Sequence, residues 1–440
     1  IMKPVQGGAD GGPPGRRRRD RSAEGRLTMD AYDPDRAAGT SSDPIDVVEL
    51  TKRLLRARSE TPPGDTNASA AVIAEAVAGV EGVETENHPG APHVANLVLR
   101  VRGARPGKRL VFNGHLDTYP LGDGWTTAPD GEERDGKLYG LGVSDMKGGV
   151  AAITVALARL AAKREQLAGE VVATFVGDEE TMGELGAKLL LDTVPHARGD
   201  AMISADVGSP GVLRFGEKGM IWLTLKAQGK AAHAAHVHRG DSAIEKLVDV
   251  IQALRSLRDW PVRAPEAVTR AIAGSAPVSE ALSGAGESHT LGHVTVTFGT
   301  IRGGRLSNLI ADHAEATADI RLPVGVTVAE LEERIGQIVA AAPGVTVEIV
   351  RRYEPNWTAP GHAVMEAVSS ACEDMLGARP VRTMRVGASD ARHYRYAGIP
   401  TVTCGLTPNN MGAADEHVSL DELRALADVL TRSAELFLAA

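Results

Sequence analysis

Gly114-His115-Leu116-Asp117-Thr118 follows the short apolar run Leu110-Val111-Phe112, and Asn113-Gly114 breaks that run just before the histidine. A run of this kind is typical of a buried parallel strand. A His and an Asp two residues apart at the end of such a strand point to the same side, at the sheet edge where α/β proteins bind ligands. The pair therefore suits a metal ligand with a carboxylate beside it. Taken alone, it would more often be an ordinary buried polar pair.

Three further acidic segments lie in the same half of the chain. They are Asp145 in the glycine-rich loop Leu138 to Gly149 before a predicted helix Val150 to Ala162, Gly177-Asp178-Glu179-Glu180 after the predicted strand Glu170 to Val176, and Asp206 after the predicted strand Ala201 to Ser204. In isolation, the glycine-rich loop could be a phosphate cradle and Asp145 a helix N-cap. The loop lacks the Gly-Lys-Ser/Thr of a P-loop, which weakens the phosphate interpretation.

The ends of these predicted strands are expected to meet at one crevice, because parallel strands share a carboxyl edge. The side chains expected there are His115, Asp117, Asp145, Glu179, Glu180 and Asp206. Lys147 is the only cation that the sequence places beside them. Buried carboxylates without a counter-charge cost several kcal/mol each. The sequence therefore predicts one or two divalent cations rather than a purely structural acidic cluster.

Composition limits the class of protein. The 440 residues are 43% hydrophobic and 24% charged, which indicates a globular protein of two or three domains. A net charge of -9 and only 3% aromatic residues argue against nucleic-acid binding. No apolar run is long enough to span a membrane, so no membrane partner is expected. Cys372 and Cys404 form no Cys-x-x-Cys pair, which favours a reducing, cytoplasmic location.

Residues 1–42 are rich in Gly, Pro, Arg and Asp and have no hydrophobic periodicity, which predicts a disordered tail. No apolar stretch follows its Arg16-Arg17-Arg18-Arg19 run, which argues against a secretion signal. Met29 is a candidate translation start. Asp43-Pro44 is expected to cap the first helix.

A second domain is predicted at 213–353, inserted into a catalytic domain formed by 43–212 and 354–440. In this segment apolar and polar residues alternate along the strands, which predicts one solvent-facing side, and the elements follow the order β-α-β-β-α-β. The predicted elements are strands Met220 to Ala227, His293 to Ile301, Glu315 to Leu322 and Val345 to Val350, and helices Ser242 to Leu257 and Val328 to Ala341. Pro265 to Thr290, rich in Ala, Ser and Gly, is predicted to be a loop insertion.

Three motifs resemble those of the M20 metallopeptidases: Gly-His-Leu-Asp-Thr-x-Pro at 114–120, Ser-Asp-Met-Lys-Gly-Gly at 144–149 and Gly-Asp-Glu-Glu at 177–180. That family includes succinyl-diaminopimelate desuccinylases, acetylornithine deacetylases, aminoacylases and glutamate carboxypeptidases. The resemblance covers nearly everything after residue 43. It implies an α/β fold with a phosphorylase/hydrolase-like catalytic domain, whose mixed sheet lies between helices, and an inserted ferredoxin-like α+β dimerisation (lid) domain.

The resemblance also implies roles for the crevice residues. Two metals, usually zinc, would share Asp145, one of them also taking His115 and Asp206. The second metal would take Glu180 and a late His. Glu179 would be the general base, and Asp117 would orient His115.

Further residues match family segments outside the crevice. His233 in Gly229 to Ala234 would reach the partner subunit's active site and stabilise the oxyanion, which implies a homodimer. The matched substrate-binding residues are Asn308, Arg321, Ser389, Asp390 and Arg392. Arg392 would pair with a substrate carboxylate. His236 and His238 are predicted to be surface side chains.

One segment departs from the family pattern. No His precedes Asp415-Glu416, where the family carries its last metal-binding His. Asn410 and His417 are candidate replacement ligands. A depleted second site favours a weaker or exchangeable metal there, such as manganese or cobalt, for which oxygen ligands are better suited.

The sequence thus predicts a metallohydrolase that uses Glu179 to cleave an amide-type C–N bond in a small substrate, such as an N-acyl amino acid or short peptide. One alternative is a hydrolase of another C–N bond, ureido or aryl-amine. The other, suggested by the missing His, is a catalytically weak relative that only binds metal or small molecules.

Overall fold

The computed structural model describes residues 45–439. The predictions for residues 1–42, for Met29 and for the cap at Asp43-Pro44 lie outside them. The first described helix is capped by Asp46, whose Oδ1 accepts the backbone N–H groups of Val48 and Glu49 at 2.8 and 3.2 Å. The helix that was predicted to start after Asp43-Pro44 therefore begins at Val47, with Asp46 as its N-cap.

The described residues form sixteen strands, β1 to β16, and eleven α-helices, α1 to α11. The strands are β1 Val83–Asn87, β2 Leu97–Arg102, β3 Arg105–His115, β4 Asp130–Arg134, β5 Lys137–Gly140, β6 Ala168–Val176, β7 Ala201–Ser204, β8 Val212–Glu217, β9 Gly219–Gln228, β10 Thr295–Gly303, β11 His313–Leu322, β12 Val345–Tyr353, β13 Asn356–Trp357, β14 Val381–Arg385, β15 Thr401–Thr403 and β16 His417–Ser419. The helices are α1 Val47–Arg56, α2 Asn67–Val77, α3 Gly148–Ala162, α4 Ala187–Thr193, α5 Ala243–Arg255, α6 Glu266–Ser283, α7 Glu287–Gly292, α8 Val328–Ala340, α9 Ala363–Leu376, α10 Ala391–Tyr396 and α11 Leu420–Ala439. None of these helices has the length and apolarity that a membrane crossing requires.

The large sheet is mixed and lies between two layers of helices. Its order is β1-β2-β6-β3-β7-β15-β8-β13, with β14 also beside β8. Phe112 on one face packs in the core that includes α3, α9 and α11, whereas Val111 on the other packs with α4 and α10. Strand β3 pairs in parallel with both β6 and β7, so their carboxyl ends meet at one edge. This edge carries the functional site.

The small sheet has the order β10-β11-β9-β12, and all its pairs are antiparallel. Helices α5 and α8 cover one face, against Ile221, Leu223 and Leu225. This ferredoxin-like arrangement confirms the predicted β-α-β-β-α-β order. The predicted boundary at 213 is wrong, because β8 belongs to the large sheet and all its residues are buried. The alternation of buried and exposed residues, typical of a strand with one face towards solvent, begins only in β9.

The segment predicted as a loop insertion, Pro265 to Thr290, instead forms α6 and α7. Val268 and Ile272 recur at helical spacing and pack in the core of the large-sheet unit, which a composition of small residues concealed. A buried ion pair of 2.9 Å between Arg214 on β8 and Glu287 ties α7 to the same unit. The segment is therefore part of the scaffold.

A third sheet joins the end of the chain to the glycine-rich loop. Its order is β16-β5-β4, and His417 lies opposite Tyr139. This pairing places the segment around Asp415-Glu416 beside the loop that carries Asp145.

Candidate metal centre

The predicted ligands meet at the carboxyl edge of the large sheet. His115 ends β3, the Glu179-Glu180 turn follows β6, and Asp206 follows β7. Asp145 lies in the turn Val143–Lys147 before α3, at a position where the backbone is not helical. Two groups of ligand atoms result, each with its atoms within 4.8 Å of one another: His115, Glu179 and Glu180, and His115, Asp145 and Asp206. The structure thus brings together five of the six side chains that sequence reasoning placed in one crevice, and the sixth, Asp117, adjoins them.

His115 is buried at the junction of the two groups. Its Nε2 is 2.9 Å from Asp145 Oδ1, and its Nδ1 is 2.9 Å from the carbonyl oxygen of Asp117. Burial opposes the charged form of the ring, yet hydrogen bonds with Asp117 and Asp145 raise the pKa of His115 well above its usual value. Without a bound cation, the imidazole is therefore itself a counter-charge for the carboxylates.

The Asp117 carboxylate holds the turn that carries the two glutamates. Its Oδ1 accepts the N–H of Glu179 at 3.2 Å, and its Oδ2 accepts the N–H of Glu180 at 3.0 Å. Its Oδ1 is 3.5 Å from Nδ1 of His115, so the closer contact to the ring is the Asp117 carbonyl. Asp117 is therefore placed to position both sides of the centre.

The two glutamates of this turn are carboxylates with little compensation. Burial raises the pKa of Glu180 to about 8, although the charge of His115 opposes this shift. Burial also raises the pKa of Glu179 well above its usual value. Within the described residues, Glu180 Oε1 is buried with no hydrogen-bond partner. An imidazole, several carboxylates and an orphaned carboxylate oxygen are a donor set that fits a divalent cation.

One residue of the centre was missed by sequence reasoning. Arg385 ends β14, and its Nη1 hydrogen-bonds to Oδ2 of Asp206. Burial opposes its charge, but the carboxylates of Asp206 and Glu217 raise its pKa. No local pattern marks this arginine, because it reaches its partner across 179 residues of sequence.

The cation expected at the centre, Lys147, is occupied elsewhere. Its Nζ donates to the carbonyl oxygens of Leu54 at 2.9 Å and Ala57 at 2.7 Å, near the end of α1. Burial lowers the pKa of this amine to about 7. The prediction that Lys147 is the cation beside the acidic cluster is corrected in favour of Arg385.

The predicted pocket segment after β14 is mostly committed to internal bonds. The backbone N–H and the hydroxyl of Ser389 both donate to buried Glu217. Arg392 is fully buried and donates to the carbonyls of Ser389 at 2.5 Å and Met182 at 2.7 Å. Its Nε is buried without a hydrogen-bond partner among the described residues, but no part of Arg392 is exposed to a substrate carboxylate, contrary to prediction. Asp390 differs, because both its buried oxygens have no hydrogen-bond partner among the described residues, and burial raises its pKa to about 8.

The remaining predicted residues lie in the small-sheet unit. His233 is exposed, belongs to neither ligand group, and is bridged to Leu309 beside exposed Asn308. Arg321 donates to both carboxylate oxygens of Asp319, at 2.7 and 2.9 Å. His236 and His238 are exposed, as predicted.

Comparison with known proteins decides the family. The sequence model of peptidase family M20/M25/M40 matches residues 111–436. The chain belongs to this family. It is 31% identical to a succinyl-diaminopimelate desuccinylase of Paracoccus denitrificans over 90% of this chain and 99% of that protein. A second such enzyme, from Ruegeria, is 30% identical over 88% of this chain and 94% of that protein.

Solved structures of the family share the fold. An M20 family metallo-carboxypeptidase from Sulfolobus solfataricus superposes with a TM-score of 0.75, at 17% identity over 90% of this chain and all of that one. A dinuclear metal binding peptidase of the M20 family from Bacillus subtilis superposes with a TM-score of 0.62, at 14% identity over 92% of this chain and 99% of that one. This M20 chain is accordingly a metallohydrolase that acts on C–N bonds, with the fold predicted from its motifs.

Of the two candidates for the missing family His, His417 lies outside both ligand groups, and the amide of Asn410 turns to its own loop. His417 belongs to neither group, its Nδ1 is 2.9 Å from the Asp415 carbonyl, and its ring packs 4.9 Å from that of Tyr139. Asn410 is exposed, and its amide donates to the same carbonyl at 3.4 Å. The suggestion that either side chain replaces the His finds no support in this geometry, because both are turned to the backbone of their own loop.

The Asp415-Glu416 pair instead anchors two loops. Asp415 accepts the backbone N–H and the hydroxyl of both Thr126 and Thr127, at 2.7–3.0 Å. Buried Glu416 accepts the N–H of Gly142 and Ser144, both at 2.9 Å, and the Ser144 hydroxyl at 2.6 Å. Glu416 thereby fixes the turn that presents Asp145.

Proposed function

We propose that this chain hydrolyses the amide bond of an N-acyl amino acid or short peptide, with Glu179 as general base. The observation that carries the proposal is the position of Glu179: its carboxylate lies within 4.8 Å of ligand atoms of His115 and Glu180, and Asp117 holds its backbone. A general base must lie beside the activated water, and its carboxylate must not be occupied by structural hydrogen bonds.

His115, Asp145 and Asp206 would hold one divalent cation. Glu180, with Asp145 shared, would hold a second, weaker one, because no imidazole from the C-terminal segment joins it. One or two ions per subunit are therefore proposed, zinc at the first position and zinc, manganese or cobalt at the second. A cation there supplies the Lewis-acid chemistry that acidifies water and polarises a carbonyl.

Glu179 carries the proton in this reaction. Its carboxylate takes the proton of the attacking water and later passes it to the nitrogen of the leaving amine. Burial raises the pKa of Glu179, which suits a group that must both accept and release a proton near neutral pH. Asp117 keeps the Glu179 backbone in place during both steps.

We also propose a homodimer in which His233 serves the partner's centre by stabilising the oxyanion. Strand β10 is an edge of the small sheet, and Ile301 on this strand and Leu306 just after it are 58% and 64% exposed. An edge strand with exposed apolar neighbours is a suitable surface for a second copy. Mixing inactive His233→Ala and Glu179→Gln subunits should restore part of the activity. In each mixed dimer, one of the two active sites then has both Glu179 and the partner's His233. No recovery after verified subunit exchange would contradict a shared site.

Substrate contacts by Asn308 and Arg321, and a role for unpartnered Asp390 at the substrate pocket, stay predictions. The cytoplasmic location also stays a prediction, supported by two free buried thiols, Cys372 and Cys404.

The central test is a hydrolysis screen over N-acetyl and N-succinyl amino acids and dipeptides, on protein stripped of metal and reloaded with Zn, Mn or Co. Glu179→Gln should keep its metal content and Tm but lose turnover by about 10²- to 10⁴-fold. Exposed Glu184→Gln, in the same connection after β6, is the matched control and should be unaffected. Unchanged turnover in Glu179→Gln would remove Glu179 from its role. Metal binding without any hydrolysis would favour a binding-only relative.

A further inference from the structure

We infer that a cavity beside helix α6 is a second binding site, which takes a small apolar molecule with a carboxylate head. The cavity has a volume of about 430 Å³. This volume lies in the range of pockets that bind small molecules. Its walls are α6, α7 and the residues that follow β11. The metal centre and the reaction proposed there play no part in this binding.

The cavity lies apart from the metal centre. None of the described residues that line it belongs to either ligand group. Met384 on β14 forms part of its wall and packs in the core of the large-sheet unit. The next residue, Arg385, bonds instead to Asp206 at the metal centre. Strand β14 therefore separates the two sites.

The inner wall of the cavity is apolar. Val268 and Ile272 of α6, Leu291 of α7 and Val324 after β11 are buried hydrophobic residues that line it. Ala273, also on α6, lines the cavity and is exposed, so the cavity opens to solvent. Because removal of apolar area from water is favourable, this wall favours a ligand with an apolar body.

Two imidazoles line the cavity on its exposed side. The rings of His289 and His293 stack with their centroids 3.9 Å apart, and both residues are exposed. Nδ1 of His293 donates to the carbonyl oxygen of His289 at 2.8 Å, so Nε2 is the ring nitrogen left for a ligand. No acidic residue is among the described residues that line the cavity. A carboxylate favours the protonated imidazole and accepts its hydrogen bond, so charge complementarity selects an anionic head.

The walls of the cavity are fixed by two buried basic side chains. Nζ of Lys218 donates to the carbonyl oxygen of His293 at 2.7 Å. Nη1 of Arg214 donates to Glu287 at the start of α7 at 2.9 Å and to the carbonyl oxygen of Met384 at 2.8 Å. These bonds hold α7 on one side of the cavity and β14 on the other. A ligand therefore enters a preformed site, and little ordering opposes its binding.

The test is calorimetry of octanoate binding to the metal-loaded protein and to variants with a filled cavity. Ala273→Trp and Gly292→Phe each place a ring in the cavity and should weaken octanoate binding at least about tenfold. Ala273 is exposed, and a Cβ at Gly292 would meet no atom within 4 Å beyond its own helix, so both variants should keep the parent Tm. Exposed Ala267→Trp, on α6 but outside the cavity wall, is the matched control and should bind octanoate like the parent protein.

Octanol, octylamine and acetate test the two parts of the ligand. Binding to the cavity is the part that Ala273→Trp removes. In that part, each of the three probes should bind at least about threefold more weakly than octanoate, because each lacks the anionic head or the apolar body. Equal binding of the alcohol or the amine would overturn the carboxylate head. Equal binding of acetate would overturn the apolar body.

A double variant tests the imidazoles. His289→Gln combined with His293→Gln should weaken octanoate binding about 3- to 10-fold and octanol binding by less than about twofold. Equal losses for the two probes would show that the imidazoles do not recognise the head. Octanoate binding that survives both filled variants would place the probe elsewhere, for instance on a cation at the metal centre, and would overturn the site. Absence of octanoate binding to the parent protein would overturn it as well.

Discussion

The strand-end carboxylates and the Asp415-Glu416 pair are both acidic, yet they are built in opposite ways. Asp415 accepts four hydrogen bonds and Glu416 three, all from backbone N–H groups or hydroxyls. Glu180 Oε1, in contrast, is buried with no partner among the described residues. The number of donors facing a carboxylate thus separates an acid that holds a loop from one that is ready to receive a ligand.

Asp415 and Glu180 also differ in proton affinity, whereas burial raises the pKa of Glu416 despite its three hydrogen bonds. Hydrogen bonds from Thr126 and Thr127 lower the pKa of Asp415 to about 2, whereas burial raises the pKa of Glu180 to about 8. Acids that look alike in the sequence therefore differ in charge near neutral pH when no metal is bound. Substitutions in the two regions should have different effects.

The largest effect is expected at the ligand side. Glu180→Gln should reduce turnover by at least the roughly 10- to 100-fold that loss of a supporting group around a metal costs. It should also weaken the second metal site, because a neutral amide is a poorer ligand than a carboxylate. Metal titration and steady-state kinetics measure both, with Glu184→Gln as the control. Full activity with two tightly held ions would contradict the place of Glu180 in the centre.

At the anchoring side, Glu416→Gln should destabilise the fold. One carboxylate oxygen is replaced by a donor that faces other donors, so the free energy of unfolding should fall by about 1–3 kcal/mol. Asp145, on the turn that Glu416 holds, should bind metal less tightly. Urea unfolding and metal titration measure the two effects, and exposed Asp421→Asn is the control. An intact free energy of unfolding would show that the three hydrogen bonds do not hold the turn.

The stability of the metal-free protein should change with pH in the direction that the raised pKa of Glu180 sets. Its pKa is raised from 4.5 to about 8 on folding, so the folded state binds the extra proton between these values. The contribution of Glu180 to stability is therefore present below about pH 4.5 and is lost as pH rises towards 8. Tm measured on chelated protein should fall over this range, and Glu180→Gln should flatten the profile. An identical profile in the variant would assign the change to other groups.

The smallest effect is expected from Asp415→Asn, because this side chain lies near the surface. Because the pKa of Asp415 is lowered, its effect on stability changes with pH in the opposite direction. The stabilisation is present above the usual pKa of an Asp side chain and is lost as pH falls through about 2. The variant should show a smaller drop in Tm at pH 7 than Glu416→Gln, and the difference from parent should vanish near pH 2. A larger drop than that of Glu416→Gln would reverse the ranking of the two anchors.

The sequence was sufficient to predict the location of residues whose place in the fold follows from their position at the end of a strand. His115, Glu179 and Asp206 follow apolar runs, and parallel pairing then brings them to one edge. Their convergence follows from local patterns and the geometry of parallel sheets. The ferredoxin-like order of the small sheet was predictable for the same reason, since alternation and helical periodicity are local signals.

The failures concern contacts that no local pattern encodes. Arg385 meets Asp206 only through the folded sheet, and Arg392 is bound by backbone carbonyls, which no sequence displays. Helix α6 was missed because alanine, serine and glycine fill half of it, so its few large apolar residues gave too weak a period. Residues that act through distant partners need the structure.

Helix α6 changes the number of connections that attach the small-sheet unit to the large-sheet unit. The chain enters that unit before β9, leaves it for α6, returns before β10 and leaves again after β12, so four connections join the two units. An insertion held by two connections can swing about a single hinge. With four, and with Arg214 locked to Glu287 beside them, closing over the catalytic edge requires every connection to bend together.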